Sequence, residues 1–556
     1  MPAHALDPDF FLGLALLAIP LAYGLAAMMP LGPVRDPVST AWRRAARAAA
    51  SGFVLALVAA GAVAVRGAGI FRIFGFGAGR GGADALPALR LDLRLDDVGA
   101  VMLVLVAFIG LVILQFSRRY LDGDPGQVRY VRWFLATLAT VSLLVLANHL
   151  VLVWLAWLGT SIALHQLLTF YDDRAPALIA AHKKFITSRL ADACLLGAIA
   201  LVAGSFGSAD LDVVFARLDS DPRIADAPGV QVAALLFAAA AALKCAQLPF
   251  HGWLLQVMEA PTPVSALLHA GVVNLGGFLM IRLAPLIVEV EAAQLLLVVV
   301  GSLTAAIASL VMTTRVSIKV ALAWSTCAQM GFMLLECGLG AWSLALLHLV
   351  AHSLYKAHAF LSSGSAVDVW RLQQQAPPVA KSGLGAWIGA GLVCLVGVAG
   401  FARVVLGEPL AAPASFALAG VVAVALTPLV VRALRGALAN RLRWLAAALV
   451  LAAAYFGWHA VFEHLVALPS GASAMLGLRV AIVVLVFGLT FAVHVAMEVR
   501  PNGRIARTLY GPLFAGLYLD ELFTRLTFRV WPARRVEAPP PPQTLTLESP
   551  FAGDRS

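Results

Sequence analysis

The stretch LKCAQLPFHGWLLQVMEAPTPVSALLHAGVVNLGGFLMIRL, Leu243 to Leu283, decides how the rest of the chain is read. Lys244 is the one charge in an apolar run, Val230 to Cys245, that is otherwise long enough to enter a bilayer. Pro249 then interrupts any helix, because it lacks an N–H and its ring clashes with the carbonyl four residues back. A second break comes at Pro261-Thr262-Pro263, and the apolar stretch beyond it carries His269. Ionisable groups beside broken helices inside a membrane are costly and mark ion pathways. A lysine snorkelling from a helix end to the headgroups is the plainer alternative.

Outward from this stretch the chain stays apolar. Its 556 residues are 61% hydrophobic and 13% charged, far more apolar surface than a soluble core of that length needs. The pattern predicts an all-α polytopic membrane protein with about fifteen spans. They lie near 8–31, 48–66, 97–117, 133–147, 150–170, 185–204, 230–247, 262–283, 294–313, 320–338, 341–366, 384–402, 412–431, 444–463 and 475–498. The first lacks a small-residue cleavage site and reads as a retained span, while 248–260 reads as a short, broken continuation of the seventh. Cys194, Cys245, Cys327, Cys337 and Cys394 all fall in apolar runs without paired spacing, which argues against a disulfide framework or a zinc site.

The net charge of +10 is explained by its distribution. Arginines and lysines cluster after alternate spans: Arg43, Arg44 and Arg47; Arg118, Arg119, Arg129 and Arg132; Arg174, Lys183, Lys184 and Arg189; Arg315 and Lys319; Arg432, Arg441 and Arg443; Arg500, Arg504 and Arg507. Loops of the other parity are poorer, apart from 67–96, where arginines mix with Asp84, Asp92 and Asp96, and Asp97 follows. The positive-inside rule then puts the N-terminus outside, in the periplasm of a bacterial inner membrane, and the C-terminus in the cytoplasm. The charge is topological and argues against a nucleic-acid partner, leaving membrane lipid as the general one. The chain divides into a transmembrane domain, 1–499, a cytoplasmic amphipathic tail helix, 500–538, and a disordered end, 539–556. The tail suits a helix lying on the membrane surface or against a partner.

Other constellations carry possible chemistry. His348, His352 and Lys356 recur every four residues and share one helix face. They could form a hydrated proton relay, since histidine and a desolvated lysine exchange protons near neutrality, or they could be packing residues satisfied by neighbouring hydroxyls. Leu349 follows His348, so the glutamate of an HExxH metal site is missing and no metal is expected here. Arg189 and Asp192, one turn apart, read as a salt bridge at the cytoplasmic end of span six or as part of an ion entrance. Glu336 and Glu259 are pathway or interfacial carboxylates, and Gly276-Gly277 lets helices approach closely. No phosphate-binding loop or nucleophile elbow occurs, so neither a nucleotide-driven nor a hydrolytic enzyme is indicated.

Four motifs in this order carry a resemblance. HKKFITSRLAD (182–192), the opening stretch, SIKVALAWSTCAQMGFM (317–333) and HLVAHSLYKAHAFLSSGS (348–365) are similar to the antiporter-like membrane subunits of respiratory complex I and Mrp Na+/H+ antiporters. The resemblance covers most of residues 90 to 370. It implies two inverted five-helix antiporter-like repeats with broken helices, Lys244 as the central pumping lysine, His269 on the next helix, and His348, His352 and Lys356 as the eleventh-helix relay. Two features depart from the family. Leu158 stands where its fifth-helix glutamate belongs, with His149 and His165 as nearby substitutes. No lysine marks the twelfth helix, where Arg403 is the nearest cation and could tune a relay without carrying its proton.

The tail YGPLFAGLYLDELFTRLTFRVWP further resembles the DabB-type subunits of DabA–DabB inorganic-carbon accumulation complexes. That resemblance implies a proton (or sodium) conducting subunit, not itself an enzyme. It would couple cation re-entry to CO2/bicarbonate uptake by a large cytoplasmic zinc-binding DabA-like partner related to carbonic anhydrases. No cofactor is expected in this chain; zinc would belong to the partner. An Mrp antiporter, membrane hydrogenase or complex I subunit is the nearest alternative. A non-conducting anchor for a soluble enzyme, which Leu158 favours, is the alternative of another class.

Overall fold

Runs of apolar residues with helical spacing dominate, and in the computed structural model they form helices. The structure describes residues 8–30, 36–75, 90–375, 382–406, 413–434, 438–466, 469 and 474–531. The 539–556 end lies outside them. Helix α1 (Pro8–Met28) packs on α2 (Pro37–Arg66), which Asp36 caps by accepting from the Ser39 N–H at 3.0 Å. The segment expected as a loop forms an antiparallel hairpin of β1 (Gly69–Gly75) and β2 (Arg90–Leu95). Alternation in RLDLRL explains it: Leu93 and Leu95 turn into the core while Arg94 between them lies more exposed. Asp96 caps α3 (Asp97–Tyr120) and pairs with both Arg94 and Arg282.

Next come α4 (Gln127–Leu146), α5 (Leu150–Leu168), α6 (Ala175–Phe206), the short α7 (Leu211–Ser220) and α8 (Pro228–Lys244). After Lys244 the chain turns through Ala246, at φ 51°, and makes only α9 (Gly252–Leu255) and one 3-10 turn before the next span. That span is itself broken, into α10 (Thr262–Ala270) and α11 (Leu275–Arg282), with α12 (Ala284–Ile287) at its end. Then follow α13 (Glu291–Met312), α14 (Ile318–Gly338), α15 (Trp342–Leu361) and α16 (Ala366–Gln375). Helices α17 (Leu384–Leu406), α18 (Pro413–Ala433), α19 (Leu438–Leu465) and α20 (Leu476–Val499) complete the membrane part.

Among the described residues thirteen helices are long and apolar enough to cross a membrane, so the expected count of fifteen is not reached on length and hydropathy. The two expected spans outside this count are α8, a 17-residue apolar helix, and α15. These carry Lys244 and the His348–His352–Lys356 row: α8 falls short in length, ending at Lys244, and α15 in hydropathy, lowered by its histidines and lysine.

Glycines let backbones touch at two crossings. A Cβ on Gly331 of α14 would lie 2.7 Å from the Gly301 carbonyl oxygen of α13, and one on Gly276 of α11 would lie 2.6 Å from the Ala241 carbonyl oxygen of α8. The hairpin, the 147–149 turn and the start of α7 meet at one face, joined by the Asn148 N–H donating to the Asp92 carbonyl at 3.1 Å and by a His149–Asp210 bridge. The opposite face carries the tail. Instead of the one helix expected within 500–538, its described residues form two, α21 (Arg504–Phe514) and α22 (Leu519–Val530), with Leu517 and Tyr518 in the left-handed region between them. Both helices fold back onto the chain's own core.

Candidate functional site

Two clusters of buried ionisable groups flank the broken span α10–α11. In the first, α6 begins at Ala175, two turns before the lysines that read as loop residues, and therefore carries Lys183 and Lys184 into the interior. They are 0% and 2% exposed. Lys184 Nζ donates to the Ser161 carbonyl of α5 at 2.5 Å and to Ser161 Oγ at 2.9 Å. Arg189 donates to the same Oγ at 3.1 Å and pairs with Asp192 at 2.7 Å, so the expected bridge forms. It is not confined to the helix end, because Asp192 is buried and its charge acts on both Lys184 and Lys244. Lys244 Nζ lies 4.4 Å from the centre of the Trp157 ring and has no hydrogen-bond partner among the described residues. A buried ammonium held only by a ring face and one carboxylate is poorly compensated, which favours exchange of its proton.

The second cluster is built on α15. Lys356 Nζ donates to the Leu322 carbonyl at 2.9 Å and to Ser325 Oγ at 2.8 Å, both on α14. The next α14 residue, Thr326, meets His269 Nδ1 at 3.1 Å, and the His269 ring stacks on Phe360 at 4.3 Å. His352 lies within electrostatic reach of His269, His348 and Lys356. The His348 and His352 ring centres are 6.1 Å apart, and His348 Nδ1 meets Glu336 Oε2 at 2.9 Å. Glu336 is 1% exposed, buried inside the chain. His269, His348 and His352 each keep Nε2 without a hydrogen-bond partner among the described residues. Three such nitrogens in sequence give protons or water somewhere to go.

Between the clusters the chain is irregular over Gly271–Asn274. Cys245 Sγ reaches the Val273 carbonyl at 3.2 Å, and Asn274 Nδ2 donates to the Ala270 carbonyl at 3.0 Å and to Ser353 Oγ at 2.7 Å. A small, partly open and largely apolar cavity of about 30 Å³ lies beside Asn274 and Ser353.

Four of the singled-out residues stand apart. His149 caps α5, its Nδ1 accepting from the Val151 N–H at 3.1 Å, at the hairpin face. His165 packs edge-on against Phe185 near the other end of α5. Glu259 is interfacial, 41% exposed and 4.0 Å from Arg174. Arg403 is exposed on α17, outside both clusters. Neither histidine takes the place of the missing glutamate beside Lys244; Asp192, one helix over, supplies the negative charge. Sequence reasoning missed Lys184, Ser161 and Asn274 as site residues. The signal for Lys184 was the 3.6-residue spacing that puts it on the Asp192 side of α6.

The chain resembles known membrane subunits over most of its length. The family model "NADH:quinone oxidoreductase/Mrp antiporter, TM" matches residues 147–376, and "NADH-Ubiquinone oxidoreductase (complex I), chain 5 N-terminus" matches 87–131. The probable inorganic carbon transporter subunit DabB of Hydrogenovibrio crunogenus is 41% identical over 446 residues, 79% of this chain and 83% of that protein. DabB2 of Halothiobacillus neapolitanus is 41% identical over 472 residues, 82% of this chain and 84% of its own length. Among solved structures, the Mrp complex from Dietzia sp. aligns with a TM-score of 0.54 and 26% identity, covering 94% of this chain and 56% of that one. The broken spans, the buried lysines and these alignments coincide, and the chain belongs to the antiporter-like membrane-subunit family of complex I and Mrp antiporters and, within it, to the DabB branch.

Proposed function

We propose that this chain conducts protons, or sodium ions, across a bacterial inner membrane with its N-terminus periplasmic and its C-terminus cytoplasmic, and that the flow drives work by a partner. The observation that carries the reading is Lys244: buried, over a ring, with Asp192 as its opposite charge and no hydrogen-bond partner among the described residues. Such a lysine can alternate between charged and neutral forms as protons pass, whereas a packing residue gains nothing from buried charge. The second cluster supports a route onward: Lys356 to His269 and His352, then His348 to Glu336. The 41% identity to relatives named as inorganic carbon transporter subunits supports the nature of the work. In this reading the partner is a large cytoplasmic zinc-binding DabA-like protein that hydrates CO2 to bicarbonate, with the zinc in the partner.

The test is substitution at Lys244 in the complete complex. Lys244→Ala and Lys244→Arg both reduce partner-dependent accumulation of inorganic carbon to background, while expression and partner binding persist. Arginine keeps the charge but does not release its proton. Full activity in Lys244→Arg would show a fixed charge and sink the relay; full activity in both variants would leave the anchor reading.

A further inference from the structure

We infer that Asp520, on the C-terminal tail, is a positioning residue for the cation pathway: through Lys183 and Gln256 it holds the broken segment that follows Lys244. The inference rests on the conduction reading above. Asp520 sits in the first turn of α22, where the helix dipole favours a carboxylate. Its Oδ1 accepts from Lys183 Nζ at 2.8 Å and its Oδ2 from Gln256 Nε2 at 3.0 Å. The Lys183 side chain is 0% exposed and that of Asp520 26%, so the pair closes from the surface over a fully buried ammonium. Gly252 of α9 passes so close that a Cβ there would lie 1.6 Å from Asp520 Oδ1, so any side chain at 252 would push the carboxylate out of its present place.

Rings seat the same helix on both sides. Phe523 meets Phe250 edge-on at 5.8 Å, and Trp531, just past the end of α22, lies flat on His182 at 3.9 Å. Upstream, Arg315 donates to the Leu513 carbonyl at 2.9 Å. The tail therefore grips α6, the break and the α13–α14 loop together. Two of these grips flank the Lys244 cluster. Lys183 is the chain neighbour of Lys184, which is tied to Ser161, and Gly252 and Gln256 belong to the break that starts just after Lys244. Asp520 also acts electrostatically on His251, buried in that break. Neutralising Asp520 leaves Lys183 as a buried charge without its carboxylate, the arrangement that destabilises most strongly.

The experiment uses the complex as purified, reconstituted into proteoliposomes, and reads cation flux (a pH-sensitive dye or radioactive sodium) together with hydrogen–deuterium exchange over 247–260. Asp520→Asn is expected to lower flux roughly tenfold and to speed exchange over 247–260 roughly tenfold, leaving 291–338 unchanged. Asp520→Glu keeps both near wild type. Asp520→Lys is at least as damaging as Asp520→Asn, and the swap Asp520→Lys with Lys183→Asp restores both. Unchanged flux in Asp520→Asn, with Lys244→Ala inactive, overturns the role of Asp520 while conduction stands. Faster exchange over 291–338 as well, or no rescue by the swap, assigns Asp520 a general structural part and also overturns it. If wild type carries no flux, the conduction reading fails, and exchange over 247–260 alone decides whether Asp520 positions the break.

Discussion

Asp192 does at the residue scale what its sequence position does not advertise. Antiporter-like subunits are expected to hold a glutamate on the fifth helix, and here Leu158 occupies that place while Trp157 offers Lys244 its ring. The opposite charge comes instead from α6, where Asp192 is shared among Arg189, Lys184 and Lys244. Asp192→Asn should therefore cost roughly tenfold or more in partner-dependent transport, because three cations then lose their common carboxylate. Asp192→Glu should retain most of it. An Asp192→Asn complex transporting at the wild-type rate would show that the lysines need no acid on α6. The burial of Lys244, His269, His352 and Lys356 was legible because an ionisable group in an apolar run has few places to go but the interior. That of Lys183 and Lys184 was not, since a basic residue shortly after an apolar run reads equally as loop or as helix start. Only the actual start of α6 at Ala175 separates the two.

At the scale of elements, the tie between the hairpin and the membrane helices rests on Asp96. It caps α3, pairs with Arg94 beside it and reaches Arg282 at the end of α11, which in turn donates to the Val145 carbonyl at 3.1 Å. Burial alone would raise the Asp96 carboxyl, but the Arg282 and Arg94 guanidiniums outweigh it and hold it at about 2. A carboxyl lowered from its ordinary value near 3.9 stabilises the fold fully above about pH 4, and this contribution fades as pH falls through about 2. Asp96→Asn should lower stability at neutral pH by on the order of 2 kcal/mol and flatten the acid side of the curve. Thermal unfolding in detergent from pH 7 to pH 2 measures both; equal pH dependence in the variant would exclude Asp96 as the source. The membrane helices were legible from periodicity and length. The hairpin was obscured by the glycine-rich stretch between its strands; the break after Lys244 was announced by Pro249 and Pro261, whereas the one at Gly271–Asn274 was hidden inside what reads as one apolar run, 262–283.

For the whole molecule, the basic loops predict one orientation. Arg118, Arg119, Arg174 and Arg315 all lie at the tail end of their helices, the end expected to face the cytoplasm. Cysteines introduced at residues 4 and 550 should react with an impermeant maleimide from opposite sides of the membrane. Labelling from one side would overturn the orientation. What no local pattern could reveal is the return of the tail. An amphipathic helix reads alike whether it covers lipid, a partner or its own chain, and the choice depends on Lys183, Gly252 and Gln256, far away in sequence. That distance bears on how the protein is made. Lys183 and Asp520 are separated by 337 residues, and at about 5–20 residues per second the ribosome reaches Asp520 roughly 17–70 s after Lys183. By the end of that interval the last membrane helix, which ends at Val499, has been synthesised while the Lys183 ammonium still waits for its carboxylate, so a nascent or truncated chain differs from the finished one in a charge at the mouth of the break, and quality-control proteases have a feature by which to tell them apart.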